Sequence, residues 1–128
     1  MELTRRQFLS KTATAVIVAG AMARGRVFGA NSRIRMCTVG FNGQGGSHIK
    51  SILGMKDTAE IVALCDVDAN VLDRGAKSVE TAQGKAPKKY RDIRQALADK
   101  EIDAISIATP NHWHTLAAVW ACQAGKDV

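Results

Sequence analysis

The sequence predicts an α/β domain built on a doubly wound parallel sheet. Three observations predict it. Apolar runs of strand length recur along the chain, helical patterns separate them, and a glycine cluster sits where the first run meets the first helix. The runs are "IRMCTVG" at 34–40, "EIVALCD" at 60–66 and "DAISIAT" at 103–109. A strand covered by helices on both faces has no polar side to show, so it reads as a continuous apolar run rather than an alternating one.

The connections keep a helical beat. His48, Ile49, Ile52 and Leu53 share one face, and Gly54 is placed to close that helix in the left-handed conformation. Asp68 supplies a cap for a second helix that buries Ala69, Leu72, Ala76 and Val79. "GKAPKKYRDIR" at 84–94 reads as a solvated, proline-containing connection. Asp92 caps a shorter helix with Ile93, Ala96 and Leu97 inside. A last helical pattern carries Leu116, Val119, Trp120 and Gln123 and stops at Gly125. "GKDV" then supplies the first residues of another strand, so the domain, taken as 31–128, is expected to be incomplete at its C-terminal end.

A chain of 128 residues is about one domain. Its net charge of +6 is concentrated at the start, where Arg5, Arg6, Lys11, Arg24 and Arg26 face Glu2 alone. Five of 18 basic and one of 12 acidic residues fall there, leaving 13 against 11 from Asn31 onward. That balance gives no electrostatic footprint for nucleic acid. Cys37, Cys65 and Cys122 have no CxxC spacing and are expected to be buried thiols acting as small hydrophobes.

Residues 1–30 read as an export signal. "TRRQFLSK" pairs two arginines ahead of Phe8-Leu9, "TATAVIVAGAMA" is a modest apolar stretch, and small residues follow near Ala23 and Gly29. A basic start, a short apolar middle and small-residue cleavage candidates define a secretory signal, and the Arg5-Arg6 pair marks the twin-arginine kind. The apolar run is too short to span a bilayer comfortably. The expected partner is the twin-arginine export machinery, and the expected location is the periplasm or another exported compartment.

"VGFNGQGGSH" at 39–48 carries the chemistry. Gly40, Asn42 and Gly45 occupy the glycine positions of the G-x-G-x-x-G frame, with Phe41, Gly43 and Gln44 between them. In that frame the first glycine permits the tight turn, the second admits the pyrophosphate and the third lets helix and strand pack closely. Asn42 departs from it, although asparagine tolerates positive φ. Its side chain must turn aside or bond the ligand. A P-loop is excluded because no Lys-Ser or Lys-Thr follows the glycines. Asp66 lies 21 residues after Gly45, at the second strand's end, where a carboxylate accepts from adenosine ribose hydroxyls and repels a 2′-phosphate. With no arginine beside "DVD", NAD is favoured over NADP. These features make the domain a Rossmann-like dinucleotide-binding one.

"SIATPNHWHT" at 106–115 ends a strand at the sheet's carboxyl edge, where open α/β sheets bind ligands. Thr109-Pro110-Asn111 sets a rigid turn, and His112 and His114 follow. No third ligand accompanies the histidines, so no metal site is expected. Trp113 and Trp120 lie seven apart and read as packing.

"IRMCTVGFNGQGGSHI", "EIVALCDVD", "KYRDIRQAL" and "IDAISIATPNHWHTLAAVWACQAGKDV" together resemble the nucleotide-binding half of the Gfo/Idh/MocA oxidoreductases, most closely members with twin-arginine signals. The resemblance covers residues 33–128, and "TPNHWH" is its most specific part. It implies an NAD(P)-dependent dehydrogenase of sugars, cyclitols or related polyols, a homo-oligomer at full length. It places Gly40, Asn42 and Gly45 against the pyrophosphate and Asp66 at the ribose. Thr109, Pro110, Asn111 and His114 line the nicotinamide end, with His112 a weaker candidate. The family's catalytic lysine, in a Glu-Lys-Pro motif, is expected beyond Val128, as is the substrate domain; no catalytic residue is expected within the chain, which alone is expected to be inactive. Two alternatives stand beside the dehydrogenase: an NAD-assisted glycoside hydrolase of the same family, and a cofactor-binding fragment without catalysis.

Overall fold

The computed structural model describes residues 32–128; the leader read at 1–30 lies outside the described residues. Four strands and four helices alternate: β1 (Ile34–Val39), α1 (Gln44–Gly54), β2 (Ala59–Cys65), α2 (Ala69–Gln83), β3 (Lys88–Tyr90), α3 (Ile93–Ala98), β4 (Ala104–Ile107) and α4 (Asn111–Gln123). The strands form one parallel sheet in the order β3-β2-β1-β4, so the chain winds outward in both directions from β1. The crevice at such a reversal opens above β1 and β4, at their carboxyl ends.

The core lies on both faces of the sheet. On one, α1 and α2 bury Ile49, Ile52, Leu72 and Val79 against Ile61 and Leu64. On the other, α3 and α4 bury Ala96, Leu97 and Ala121 against Cys37, Val39, Ala63 and Cys65. Ile61, Leu64, Val79 and Ile105 are almost wholly enclosed, each stabilising the fold by about 1.5–3 kcal/mol relative to exposure.

Both predicted acidic caps form. The Asp68 carboxylate accepts from the Asn70 amide at 2.8 Å, and that of Asp92 from the Arg94 amide at 2.9 Å. Other expectations are corrected. β3 lies inside the stretch read as a solvated connection. "KKY" has no apolar pattern, and the strand exists through its ladder with β2, from Ala63↔Lys88 to Cys65↔Tyr90. Gly54 is the last helical residue rather than a left-handed cap; Met55 turns the chain with its amide on the Ile52 carbonyl. Left-handed closure falls instead to Gly84 after α2, at φ +76°, and to the expected Gly125 after α4, at φ +71°. Ala69 is exposed, and Val71 takes the inward place. In α4 the buried face is Ala117 and Ala121, whereas Leu116, Val119 and Gln123 are exposed. Small residues let the helix lie close to the sheet, which outweighs the size of the leucine and valine. Cys37 and Cys65 are buried, but Cys122 is exposed.

At the end of the chain, Asp127 bridges Ala104 in parallel, and its carbonyl accepts from the Ile105 amide at 2.8 Å. These residues therefore occupy the next strand position beside β4. No helix among the described residues is long and apolar enough to cross a membrane.

Candidate dinucleotide site

The site grows out of the turn after β1. Gly40 leaves the strand at φ +73°, with its amide on the Cys65 carbonyl at 2.8 Å. A side chain is excluded there twice, by the backbone conformation and by space: a Cβ would lie 2.9 Å from Thr109 Cγ2 and 3.0 Å from the Thr109 backbone. Gly45, the third glycine of the frame, is under tighter constraint, since a Cβ would sit 2.1 Å from the Gly40 carbonyl oxygen. The expected close approach of helix and strand is present. Gly75 of α2, which the sequence pattern did not single out, has the same character. Its Cβ would meet the Phe41 ring at 2.4 Å. Phe41 is buried, so only its backbone faces the turn.

Asn42 solves the problem its side chain posed. No non-glycine residue among those described has positive φ, so the tolerance of asparagine for that region is not used. Its amide oxygen turns away toward α2, where Arg74 Nη2 donates to it at 3.4 Å. α1 then begins at Gln44 with Gly43 as its N-cap, without a side-chain cap or an acidic residue in the first turn. The Gly46 amide turns back to the Gly43 carbonyl at 2.9 Å, and the amides ahead of it stand at the end of the helix that carries partial positive charge, a setting that suits an anion.

Asp66 stands at the tip of β2, half-buried. One carboxylate oxygen accepts from the Phe41 amide at 3.1 Å, and the other from the Asp68 amide at 3.1 Å. The group is thus oriented by two backbone donors, and each oxygen keeps a lone pair for a ligand hydroxyl.

These elements border a cavity of about 890 Å³ along the carboxyl edge of the sheet. Gly40, Phe41, Asn42, Gly43, Asp66, Thr109 and Pro110 line it, which brings together seven of the residues expected at the site. Gly45 and Gln44 do not line it; Gly45 is buried beneath the turn. Asn111 and His114 do not line it either. Asn111 is the first residue of α4, and His114 Nε2 donates to the Thr109 carbonyl at 2.6 Å, pinning the turn from behind. The cavity also takes in Val67, Arg91, Ile93 and Arg94, which no motif announced, and Trp113, Ala117 and Trp120 of α4. The two tryptophans expected to be packing therefore face the same space.

Electrostatics sharpen this picture. Burial pushes the Cys65 thiol up to about 12, so it stays protonated and inert at neutral pH. Asp92, held by the Arg94 side chain and amide, falls to about 2 and is a fixed negative charge. The Thr109 hydroxyl is buried with no hydrogen-bond partner among the described residues. A buried orphan in the wall of a cavity is a donor kept for something that enters. The free helix amides, the two space-forbidding glycines, the Asp66 carboxylate and this hydroxyl fit an adenine dinucleotide in size and in chemistry. Among the described residues, no group of three or more histidine, cysteine or acidic side chains could hold a metal ion.

Residues 34–128 match the family described as GFO_IDH_MocA, "Oxidoreductase family, NAD-binding Rossmann fold". A glycosyl hydrolase family 109 protein of Stenotrophomonas maltophilia is 32% identical over a match covering 98% of this chain and 29% of the relative. Inositol 2-dehydrogenase 1 of Saccharopolyspora erythraea is 30% identical, over 74% of this chain and 27% of the relative. The WlbA dehydrogenase of Bordetella pertussis, solved in complex with NADH and UDP-GlcNAcA, superposes with a TM-score of 0.61 at 29% identity, over 74% of this chain and 28% of that one. The chain spans less than a third of the length of the curated relatives it matches. With the glycine turn, the parallel sheet and the cavity at its carboxyl edge all in place, the chain belongs to the Gfo/Idh/MocA oxidoreductase family and carries its NAD-binding Rossmann fold.

Proposed function

We propose that the chain is the nucleotide-binding part of an NAD-dependent oxidoreductase acting on a sugar, a cyclitol or a related polyol. One observation carries the reading. The Gly40–Gly43 turn that leads into the uncapped start of α1, Asp66, and Thr109 with its unpartnered hydroxyl all lie around one cavity. The α1 amides and the Gly40–Gly45 turn hold the pyrophosphate, Asp66 takes the adenosine ribose, and Thr109 with Pro110 borders the nicotinamide end. NAD supplies a hydride acceptor at C4 of its ring. This chain's own residues bind and orient it. NAD is taken in preference to NADP, because the Asp66 charge opposes a 2′-phosphate.

Export follows the same reasoning. The twin-arginine route carries proteins already folded, so a cofactor loaded where it is made stabilises the holo form and travels with it. The full-length protein, a homo-oligomer in this reading, works in the periplasm with NAD retained through turnover. Titration of the intact polypeptide with NADH, followed by tryptophan fluorescence, is expected to saturate. No saturable uptake removes the proposal.

A second reading has its own support. The match to the glycosyl hydrolase family 109 protein covers 98% of the chain and so takes in the leader, whereas that to the inositol dehydrogenase covers 74%. In this reading the hydride is borrowed from a sugar carbon to ease elimination of the glycosidic bond and is then returned. Glycoside cleavage by the full-length protein without net NADH formation selects it; NADH accumulating with product selects the dehydrogenase.

A further inference from the structure

His48 is half-buried on α1 and does not line the cavity. Its Nδ1 lies 2.7 Å from the Ser106 hydroxyl on β4, a hydrogen bond between a helix and a strand 58 residues apart in the chain. Among the described residues no other side-chain hydrogen bond joins α1 to β4. Thr38, level with Ser106 on β1, keeps its hydroxyl enclosed and without a partner among those residues. The polar link across this stretch of the sheet is therefore the single His48–Ser106 pair.

The pair stands behind the site on both sides. His48 follows Gly45 by three residues, about one helical turn from the tight glycine contact. Ser106 precedes Thr109 by three, on the strand that delivers Thr109 to the cavity. At the rim, Gly40 already lies against Thr109. One such contact leaves α1 free to swing about it. Ile49 and Ile52 draw the helix toward β2 and α2. His48, about 100° round the helix from Ile49, holds it in the other direction, to β4. His114 fixes the Thr109 carbonyl from α4 and connects nothing to α1.

We propose that His48 is a positioning residue of this site. By way of Ser106 it sets the reach between the start of α1, the seat of the pyrophosphate, and Thr109 at the nicotinamide end. The inference rests on the dinucleotide reading above. A ligand that touches both ends feels this distance. One confined to the adenylate end, which meets the start of α1 and the Asp66 side, does not.

The test is binding of NADH and of ADP to the intact polypeptide by titration calorimetry, with the ratio of the two affinities as the readout. His48→Leu keeps the bulk and loses the bond. It is expected to weaken NADH by about fivefold, the scale of one hydrogen bond, and to leave ADP within twofold. Asparagine places a polar atom one bond beyond Cγ, where Nδ1 stands, so His48→Asn is expected to recover most of the loss. Ser106→Ala should reproduce the His48→Leu effect, and the two together should cost no more than either alone. Ile52→Val, which loosens α1 on its β2 side, is the control: a lower unfolding midpoint with the ratio unchanged. Equal losses for both ligands overturn the inference. So does a ratio shifted as far by Ile52→Val, or a His48→Asn no better than His48→Leu. If His48→Leu folds poorly, Ser106→Ala carries the same comparison. A wild type that binds neither ligand removes the dinucleotide reading itself; one that binds NADH while His48→Leu and Ser106→Ala keep its full affinity removes only the positioning role.

Discussion

At the amino edge of the sheet, charge is matched closely. Arg35 grips Asp103 through Nε at 2.9 Å and Nη2 at 2.6 Å and reaches the Lys100 carbonyl at 3.1 Å. Lys88 binds Asp99 at 2.8 Å, and Lys126 donates to the Asp99 and Ile102 carbonyls at 2.7 Å each. At the carboxyl edge the pattern inverts. The helix amides of α1 have no side-chain cap, Thr109 has a partnerless hydroxyl, and two arginines have no acidic partner among the described residues. One edge uses its polar groups to hold the fold together. The other holds them in place for a ligand, at a cost in stability that the first edge and the core offset.

The contrast breaks most severely at Gly45. Gly45→Ala places a methyl carbon where the Gly40 carbonyl stands at 2.1 Å, so turn and helix must part. A loss of about 3 kcal/mol in thermal unfolding is expected, with NADH uptake abolished. Unchanged uptake would falsify the role of this close approach in shaping the seat.

Asp103→Asn tests the opposite edge. Its charged hydrogen bonds to Arg35 are mostly enclosed, and losing the charge is expected to cost about 2 kcal/mol in denaturant unfolding. NADH affinity should stay within twofold. A binding defect as large as the stability defect would erase the division between the edges.

Acid titration reads the amino edge from another side. Hydrogen bonding from Lys88, helped by the Glu101 amide and the Tyr90 hydroxyl, outweighs burial and lowers Asp99 from its ordinary value to about 2. A depressed carboxylate contributes its stability above the unfolded value near 4 and loses it as pH falls toward 2. Unfolding midpoints should therefore drop across that window, and Asp99→Asn should flatten the drop. An equal slope in wild type and variant counts against Asp99 as its source.

The smallest effect is the most selective. Thr109→Val removes a buried hydroxyl that has no partner among the described residues and keeps the shape. Stability is expected to rise by about 1 kcal/mol while NADH affinity falls several-fold. Thr38, on β1, has the same orphaned hydroxyl but does not line the cavity, so Thr38→Val should stabilise without touching affinity. Equal binding losses in both would end the distinction.

What the sequence made legible was whatever local chemistry dictates. Apolar runs revealed the three buried strands, Asp68 and Asp92 revealed two caps, and the spacing of Gly40 and Gly45 revealed the turn. What escaped depended on partners distant in the chain. β3 exists because β2 offers it a ladder. Ala117 and Ala121 win the inward face because a close-lying helix favours small residues over Leu116 and Val119. Gly75 is dictated by the Phe41 ring, and Arg91 reaches the site only because the β3–α3 connection ends beside Val67. His114 was legible as part of a motif but not in its position, behind the turn on the Thr109 carbonyl.

The stacking of Gly45 beneath Gly40, and of Gly40 against Thr109, leaves neither turn any slack. The turn after β1 and the turn after β4 are therefore held against each other. The seat is thus already shaped before any ligand arrives, and docking needs little further ordering of these two turns. Three backbones packed with no room for a methyl group act as a lever, and its stiffness is set by what the glycines lack.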